Sequence, residues 1–227
     1  MKSEERIITI DGPAGAGKST MARGLAERLN WTYLDTGAMY RAVAVAVDEA
    51  GKDVNDESGF SDILAKLDLR IMPGPRTTRI FLGGQEITDK IREPRVSALA
   101  SAVSAQASVR RAMVDLQRKI GETGCVVAEG RDMGTVVFPG AGVKFFLKAS
   151  SQERARRRFK ELRHQGEDVS LEQVNQDMID RDRADSSRAL SPLRPAEDAI
   201  IIDSTGLAVN EVQNRMIQIV RQKWPKL

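Results

Sequence analysis

Five short apolar runs set the rhythm of the chain, at residues 7–10, 31–34, 125–128, 143–147 and 199–202. Each is four or five residues long and rich in Ile, Val or Leu, and each reads as a buried strand. Two of them close on Asp11-Gly12 and Glu129-Gly130. Between the runs, apolar positions recur at helical spacing. Met21, Leu25 and Leu29 predict a helix opening near Lys18, and residues 36–50 predict another that stops at Gly51. Residues 94–120, rich in Ala, Val and Arg, return to helix. Ser150 with Glu153, and Ser170 with Gln173, have the spacing of capping boxes. A closing helix runs from about Val209 towards Trp224 and halts before Pro225. Short strands alternating with helices predict an α/β fold with a five-stranded parallel sheet covered on both faces. One stretch breaks this rhythm. Leu67, Leu69 and Ile71, then Ile80 and Leu82, alternate with polar residues, punctuated by Pro73-Gly74-Pro75 and Gly83-Gly84. That pattern predicts a small antiparallel sheet inserted on the main one.

Composition narrows the class. At 227 residues, with 41% hydrophobic and 30% charged, the chain can bury a core as one domain with insertions. No apolar run approaches the roughly 18 residues of a membrane span, residues 42–47 being among the longest, and residues 7–10 are too short for a signal peptide. Lone Cys125 and lone His164 exclude a disulfide framework and a Cys/His metal cluster, so a cytoplasmic protein is expected. Cys125 reads as a small core residue on its strand, and His164 as an exposed one. A net charge of +3 and 4% aromatics argue against nucleic-acid and membrane partners.

The first turn carries chemistry. Gly12-Pro13-Ala14-Gly15-Ala16-Gly17-Lys18-Ser19, followed by Thr20, fits G-x-x-x-x-G-K-[ST] in full, with a strand before it and a helix after it. The glycines let backbone N–H groups turn inward around phosphate oxygens, where the helix start adds partial positive charge. Lys18 reaches β- and γ-phosphates, and the Ser19 hydroxyl is a Mg²⁺ ligand. The motif specifies a nucleoside triphosphate, not its fate.

A hydrolytic switch is the rival class. It would need a guanine-reading N-K-x-D string, which is absent; the D-x-x-G strings at Asp48 and Asp203 read as turns. A helicase or transporter ATPase would show a strand ending in Asp-Glu. Here the strand ends in the single acid Glu129, which either sits near a metal or satisfies the following loop. Arginines fall in separate clusters: Arg41; Arg110 and Arg111; Arg131; Arg154, Arg156, Arg157 and Arg158; and Arg181, Arg183 and Arg188. The fourth cluster reads equally as a solvated helix face. Arg131 follows a buried strand at the sheet edge where ligands bind in such folds. Two phosphate substrates brought together explain the spread, because phosphoryl transfer asks a protein for alignment and cations. A phosphate acceptor is already ionised near neutral pH and needs no base.

Four motifs occur in one order: Ile10-Asp11-Gly12-Pro13; Leu34-Asp35-Thr36-Gly37-Ala38-Met39-Tyr40-Arg41; Gly130-Arg131-Asp132-Met133-Gly134-Thr135-Val136-Val137-Phe138-Pro139; and Arg181-Asp182-Arg183-Ala184-Asp185-Ser186-Ser187-Arg188. Through them nearly the whole chain resembles the bacterial cytidylate kinases, a P-loop nucleoside monophosphate kinase family. Thr36 stands where serine is common and Glu129 where aspartate is common. The resemblance implies a three-layer P-loop NTPase fold in a single kinase domain. Its core would be about 1–36, 102–150 and 189–227, with a monophosphate-binding insertion at about 37–101 and a lid at about 151–188.

The resemblance also implies roles. Residues 12–20, with Arg157 from the lid, hold ATP and Mg²⁺. Arg41 and Arg131 hold the acceptor phosphate. Ser101, Arg110 and Asp132 read cytosine, with Thr36 and Arg188 close by. Arg181 and Asp185 approach the sugar or the transferring phosphate, and Lys18, Arg131, Arg181 and Arg188 serve catalysis. Cytosine offers an amine where uracil offers a carbonyl, and a carboxylate accepts from the one and repels the other. Asp132 suits that role; its alternative is a salt bridge to Arg131 or another arginine. The expectation is a monomeric enzyme moving the γ-phosphoryl group of ATP to CMP and dCMP. The alternatives are another P-loop kinase of a small phosphorylated or hydroxylated metabolite, or a nucleotide-hydrolysing switch.

Overall fold

The computed structural model describes residues 6–53, 57–74 and 78–227. In chain order, β1 (Ile7–Asp11), α1 (Lys18–Leu29), β2 (Thr32–Asp35) and α2 (Thr36–Glu49) lead into α3 (Glu57–Ala65). Then come β3 (Leu69–Pro73), β4 (Thr78–Leu82), β5 (Gln85–Glu86), a 3₁₀ turn, α4 (Pro94–Val103) and α5 (Ala107–Gly121). β6 (Val126–Gly130) is followed by a π-helical turn (Met133–Val137), β7 (Val143–Lys148), α6 (Ser151–His164), α7 (Leu171–Ser187), β8 (Ile200–Asp203) and α8 (Val209–Lys223).

The main sheet runs β2-β6-β1-β7-β8 with every pairing parallel. β1 is buried throughout because both faces are covered. Ile7 packs into a cluster with Met39, Val43 and Val109, while Ile8 and Ile10 pack on the other side with Leu25, Phe145 and Met216. Burying each such side chain contributes about 1.5–3 kcal/mol. The register sets Asp11 level with Gly130, and Asp35 level with Glu129. The carboxyl ends of the three strands therefore present their acids at one edge. Gly12 turns the chain there at φ 149, and a Cβ would meet the Leu147 carbonyl oxygen at 2.2 Å. Only glycine fits.

The expected meander is the sheet β3-β4-β5, antiparallel, with Ile71 opposite Ile80. It is tied to β2 by Tyr33 N–H donating to Gly74 O at 3.0 Å and Thr78 Oγ1 donating to Tyr33 O at 3.0 Å. Pro75 lies outside the described residues.

Five features depart from the sequence reading. α3 was not anticipated. The helical stretch 94–120 is two helices: Ser104 Oγ bonds the Ser101 carbonyl at 2.9 Å and Gln106 is extended, which reverses the chain. The π-helical turn after β6 was likewise unforeseen. Cys125 precedes its strand at φ 55 and is half-buried rather than a strand residue. The capping boxes form halfway. Ser150 and Ser170 accept from Glu153 and Gln173 N–H groups at 3.2 and 3.1 Å. The Ser150 N–H, however, already donates to Thr205 Oγ1 at 2.9 Å, and Glu153 turns to Arg157. Among the described residues no helix is long and apolar enough to cross a membrane.

Candidate active site

The phosphate loop arcs from β1 to α1. Gly17, at φ 93, occupies the cap position of α1, where no side chain supplies a cap and the first turn holds no acid. Its free N–H groups and dipole suit an anion. Lys18 is buried, and its Nζ donates to Pro13 O at 2.7 Å. Burial, with repulsion from Arg131, pushes its ammonium down to about 7.

Beside the loop lies a cavity of about 250 Å³. Ala14, Gly15, Lys18 and Ser19 form one wall; α2 contributes Thr36, Gly37, Tyr40 and Arg41, and α4 contributes Ser97 and Ala100, with Ser104 just beyond it. Arg110 comes from α5, Asp35 from β2, Glu129 to Asp132 from the end of β6, and Arg158, Glu161, Arg181, Asp185 and Arg188 from the α6–α7 side. Six arginines and Lys18 face five carboxylates. The surplus is positive, which suits a phosphate ligand.

Most of these charges are paired. Arg110 holds Asp132 in a buried ion pair, donates to Ser104 O at 3.2 Å and lies 5.6 Å over the Tyr40 ring. Asp185 receives Arg131 Nε at 2.7 Å and Arg188 Nη2 at 2.5 Å. Burial works to raise the Asp185 carboxyl, but the two arginines outweigh it and hold it below the ordinary aspartate value. Arg41 reaches Asp35 at 3.2 Å, and Arg158 reaches Glu161 at 2.8 Å. Arg181 Nε is buried without a hydrogen-bond partner, and burial plus Arg131 lowers its guanidinium to about 10. Tyr33 OH donates to Glu129 Oε1 at 2.5 Å, the Ser19 side chain also bonds Glu129, and burial raises that carboxyl.

The structure thus gathers Lys18, Ser19, Arg41, Arg110, Arg131, Asp132, Arg181, Asp185 and Arg188 around one space. Thr36 lines it too, but its hydroxyl donates to Glu129 O at 2.6 Å. Ser101 does not line the cavity. By spacing Ser101 shares the face of α4 that carries Ser97 and Ala100, yet it stands outside the lining, its carbonyl accepting from Ser104 Oγ at 2.9 Å. Of the loop, Gly12, Pro13, Ala16, Gly17 and Thr20 also lie outside the lining. Arg157 sits behind the loop, donating to Ser204 O at 2.8 Å. Arg154 binds Ala14 O at 3.0 Å and Asp182 at 2.6 Å, which joins α6 and α7 to the loop. His164 is exposed. Asp48 and Asp203 close elements ahead of left-handed Gly51 and Gly206, as turns do.

Sequence reasoning gave no site role to Asp35, Tyr40, Ser97, Ala100, Ser104 and Glu161, and placed Arg158 only in a cluster on the lid. Tyr40 was accessible, since Thr36, Gly37, Tyr40 and Arg41 share one helix face by spacing alone. The α4 residues carried no such signal, because nothing marked which face of that helix was wet.

A phosphate loop opening beside an arginine-lined cavity defines a P-loop nucleotide-binding protein with room for a second anion. A solved structure of an uncharacterized protein from Eubacterium ventriosum shares the fold, with TM-score 0.54 and 13% identity over 96% of this chain and 99% of that one. The cytidylate kinase family profile matches residues 8–222. The cytidylate kinase of Carboxydothermus hydrogenoformans is 52% identical over 95% of this chain and 97% of its own. That of Syntrophotalea carbinolica is 47% identical over 97% and 94%. The chain belongs to the cytidylate kinase family.

Proposed function

We propose that the protein transfers the γ-phosphoryl group of ATP to CMP and dCMP, giving ADP and CDP or dCDP. The observation that carries this reading is the buried Arg110–Asp132 pair in the wall of an arginine-lined cavity that opens onto the phosphate loop. Asp132 accepts from the cytosine amine and repels the uracil carbonyl, while Arg110 donates to the O2 and N3 side. Arg41 and Arg131 hold the acceptor phosphate. Arg181, whose Nε has no partner, meets the charge that develops between the two nucleotides. Lys18 exchanges the Pro13 carbonyl for triphosphate oxygens. Asp185 keeps Arg131 and Arg188 aimed at the acceptor. Ser97 of α4 and Ser104 just beyond it join Ser101 as candidates on the base side of the cavity. Arg157 supports the loop from behind, and closure of α6 and α7 excludes water, which competes as acceptor.

The residues present fit Mg²⁺. Ser19 carries a hard oxygen ligand, and the buried Glu129 lies against it. Among the described residues no cluster of three metal-binding side chains occurs, and a cation carried by nucleotide phosphates and water needs none. When bound, the ion neutralises phosphate charge. The Glu129 carboxyl, bonded to the Ser19 side chain, would hold that hydroxyl in place for the ion.

An acceptor panel with coupled ADP detection tests the reading. ADP release should require CMP or dCMP, with UMP weaker by about 10- to 100-fold, the worth of one such polar distinction, and with AMP inactive. Equal ADP release with no acceptor would identify a hydrolase instead.

A further inference from the structure

Asp132 opens the π-helical turn Met133–Val137. An aspartate in that position ordinarily caps its own turn by accepting N–H groups two or three residues on. Asp132 makes no such bond; its carboxylate is committed to Arg110. The cap comes from another strand. Asp11, the last residue of β1, accepts from Met133 N–H at 2.9 Å with one oxygen and from Gly134 N–H at 2.8 Å with the other. Its side chain is buried, and the β1–β6 register holds it level with Gly130, beside the start of the turn.

The fit around this contact is close. A Cβ on Gly134 would stand 3.1 Å from Thr9 Oγ1, 3.2 Å from Lys144 Cδ and 3.4 Å from Asp11 Oδ2. The rest of the turn is closed by Val136 and Val137 N–H groups on Asp132 O at 2.9 and 3.2 Å, and by Phe138 N–H on Met133 O at 2.7 Å. The backbone that presents Arg131 and Asp132 is therefore shaped without the Asp132 carboxylate. We infer that Asp11 is a positioning residue for base recognition, capping this turn in place of Asp132 and so leaving the Asp132 carboxylate to hold Arg110 and face the acceptor base. The inference rests on the assignment of Asp132 as the group that reads cytosine. Without Asp11, two buried N–H groups lose their acceptor, and the Asp132 carboxylate is the neighbouring group placed to replace it.

The test is the CMP:UMP ratio of kcat/KM for Asp11→Asn, made in the wild type and in Asp132→Asn. Asparagine keeps one acceptor but turns an amide N–H toward the second donor. Because the ratio is taken on one preparation, general losses of activity cancel. Asp11→Asn should lower the ratio roughly tenfold, the smaller part of one base distinction. It should change the ratio less than about twofold in the Asp132→Asn background, as coupling through one group requires. An unchanged ratio in Asp11→Asn while Asp132→Asn lowers it, or equal falls in both backgrounds, would overturn the inference alone. An unchanged ratio in Asp132→Asn would remove the cytosine-reading assignment and the inference with it.

Should the Asp11 variants not fold, the wild type decides by NMR. Burial holds the Asp11 carboxyl up at about 6, against its two N–H donors, with Asp132 raising it and Lys18 lowering it. Lys144 of β7 packs against Gly134 beside it. The Met133 and Gly134 amide resonances should move together near that pH. Flat resonances from roughly pH 2 to 8, a window that also spans an aspartate at its ordinary value, would show that no ionising carboxyl caps them and would overturn the inference.

Discussion

The phosphate loop draws its parts from consecutive residues 12–20, whereas the cavity beside it collects side chains from α2, α4, α5, α6, α7 and the ends of β2 and β6. The two also treat charge differently. In the loop, backbone N–H groups are offered to the ligand and lose no side-chain entropy when it binds. Its one cation, Lys18, is buried against a carbonyl, and its charge is penalised until a triphosphate arrives. In the cavity, Arg41, Arg110, Arg131, Arg158 and Arg188 each hold a carboxylate. Their charge is compensated, and a ligand phosphate competes with acids already in place. The loop is thus poised for any nucleoside triphosphate. The cavity is selective, because a ligand must offer its arginines and Asp132 at least what they offer one another.

The largest break in this contrast is Lys18→Ala. The loop has no second cation to take over, so turnover should fall about 10²- to 10³-fold, the scale of losing one preorganised donor. Melting temperature should hold or rise, since a penalised buried charge is removed. Rapid-quench transfer assays with thermal melting check both halves; wild-type turnover would show that the loop lysine is dispensable.

Arg131→Lys probes the cavity. Lysine keeps the charge and loses the planar fork that lets Arg131 hold Asp185 while serving a phosphate. KM for the monophosphate should rise about 10- to 100-fold, as expected for hydrogen bonds to charged groups of about 1.5–3 kcal/mol. The rise should be the same for CMP and UMP, since a phosphate contact carries no base information. A change confined to one base would place Arg131 at the ring instead.

The same contrast explains what the sequence disclosed. A contiguous site is visible as a motif, so the loop was legible down to the atoms of Lys18 and Ser19. The five strands were legible as short apolar runs, clearest in β1 and β6, which are buried on both faces. The cavity was legible where family motifs crossed it, at Thr36, Arg41, Arg131, Asp132 and the Arg181 to Arg188 segment, and at Arg110, which the resemblance supplied from outside those motifs. Its α4 wall ends in a chain reversal at Ser104 to Gln106 that composition does not mark; Ser97, Ala100 and Ser104 line the cavity, while Ser101 of the same face stands outside the lining. Asp11 and its two N–H donors are more than a hundred residues apart in the chain; no local pattern joins them.

The smallest expected effect comes from the point where the two regions meet. Arg154 is buried between them, donating to Ala149 O at 3.1 Å and Ala14 O at 3.0 Å and pairing with Asp182 at 2.6 Å. It ties α6 and α7 to the loop. Around it these helices share a small apolar core of Ala155, Leu162, Val174 and Met178, against which Ala14 of the loop also packs. Arg154→Met keeps the apolar stem and removes the polar contacts. The Arg154 guanidinium is charged, and hydrogen bonds to charged groups contribute about 1.5–3 kcal/mol; most of that loss falls on the packing of α6 and α7 rather than on ATP, so KM for ATP should rise roughly five-fold. KM for CMP should stay within about twofold, since no cavity pair involves Arg154. Steady-state kinetics with each nucleotide varied in turn measures the split. A CMP effect as large as the ATP effect would mean that the lid belongs to the cavity as much as to the loop.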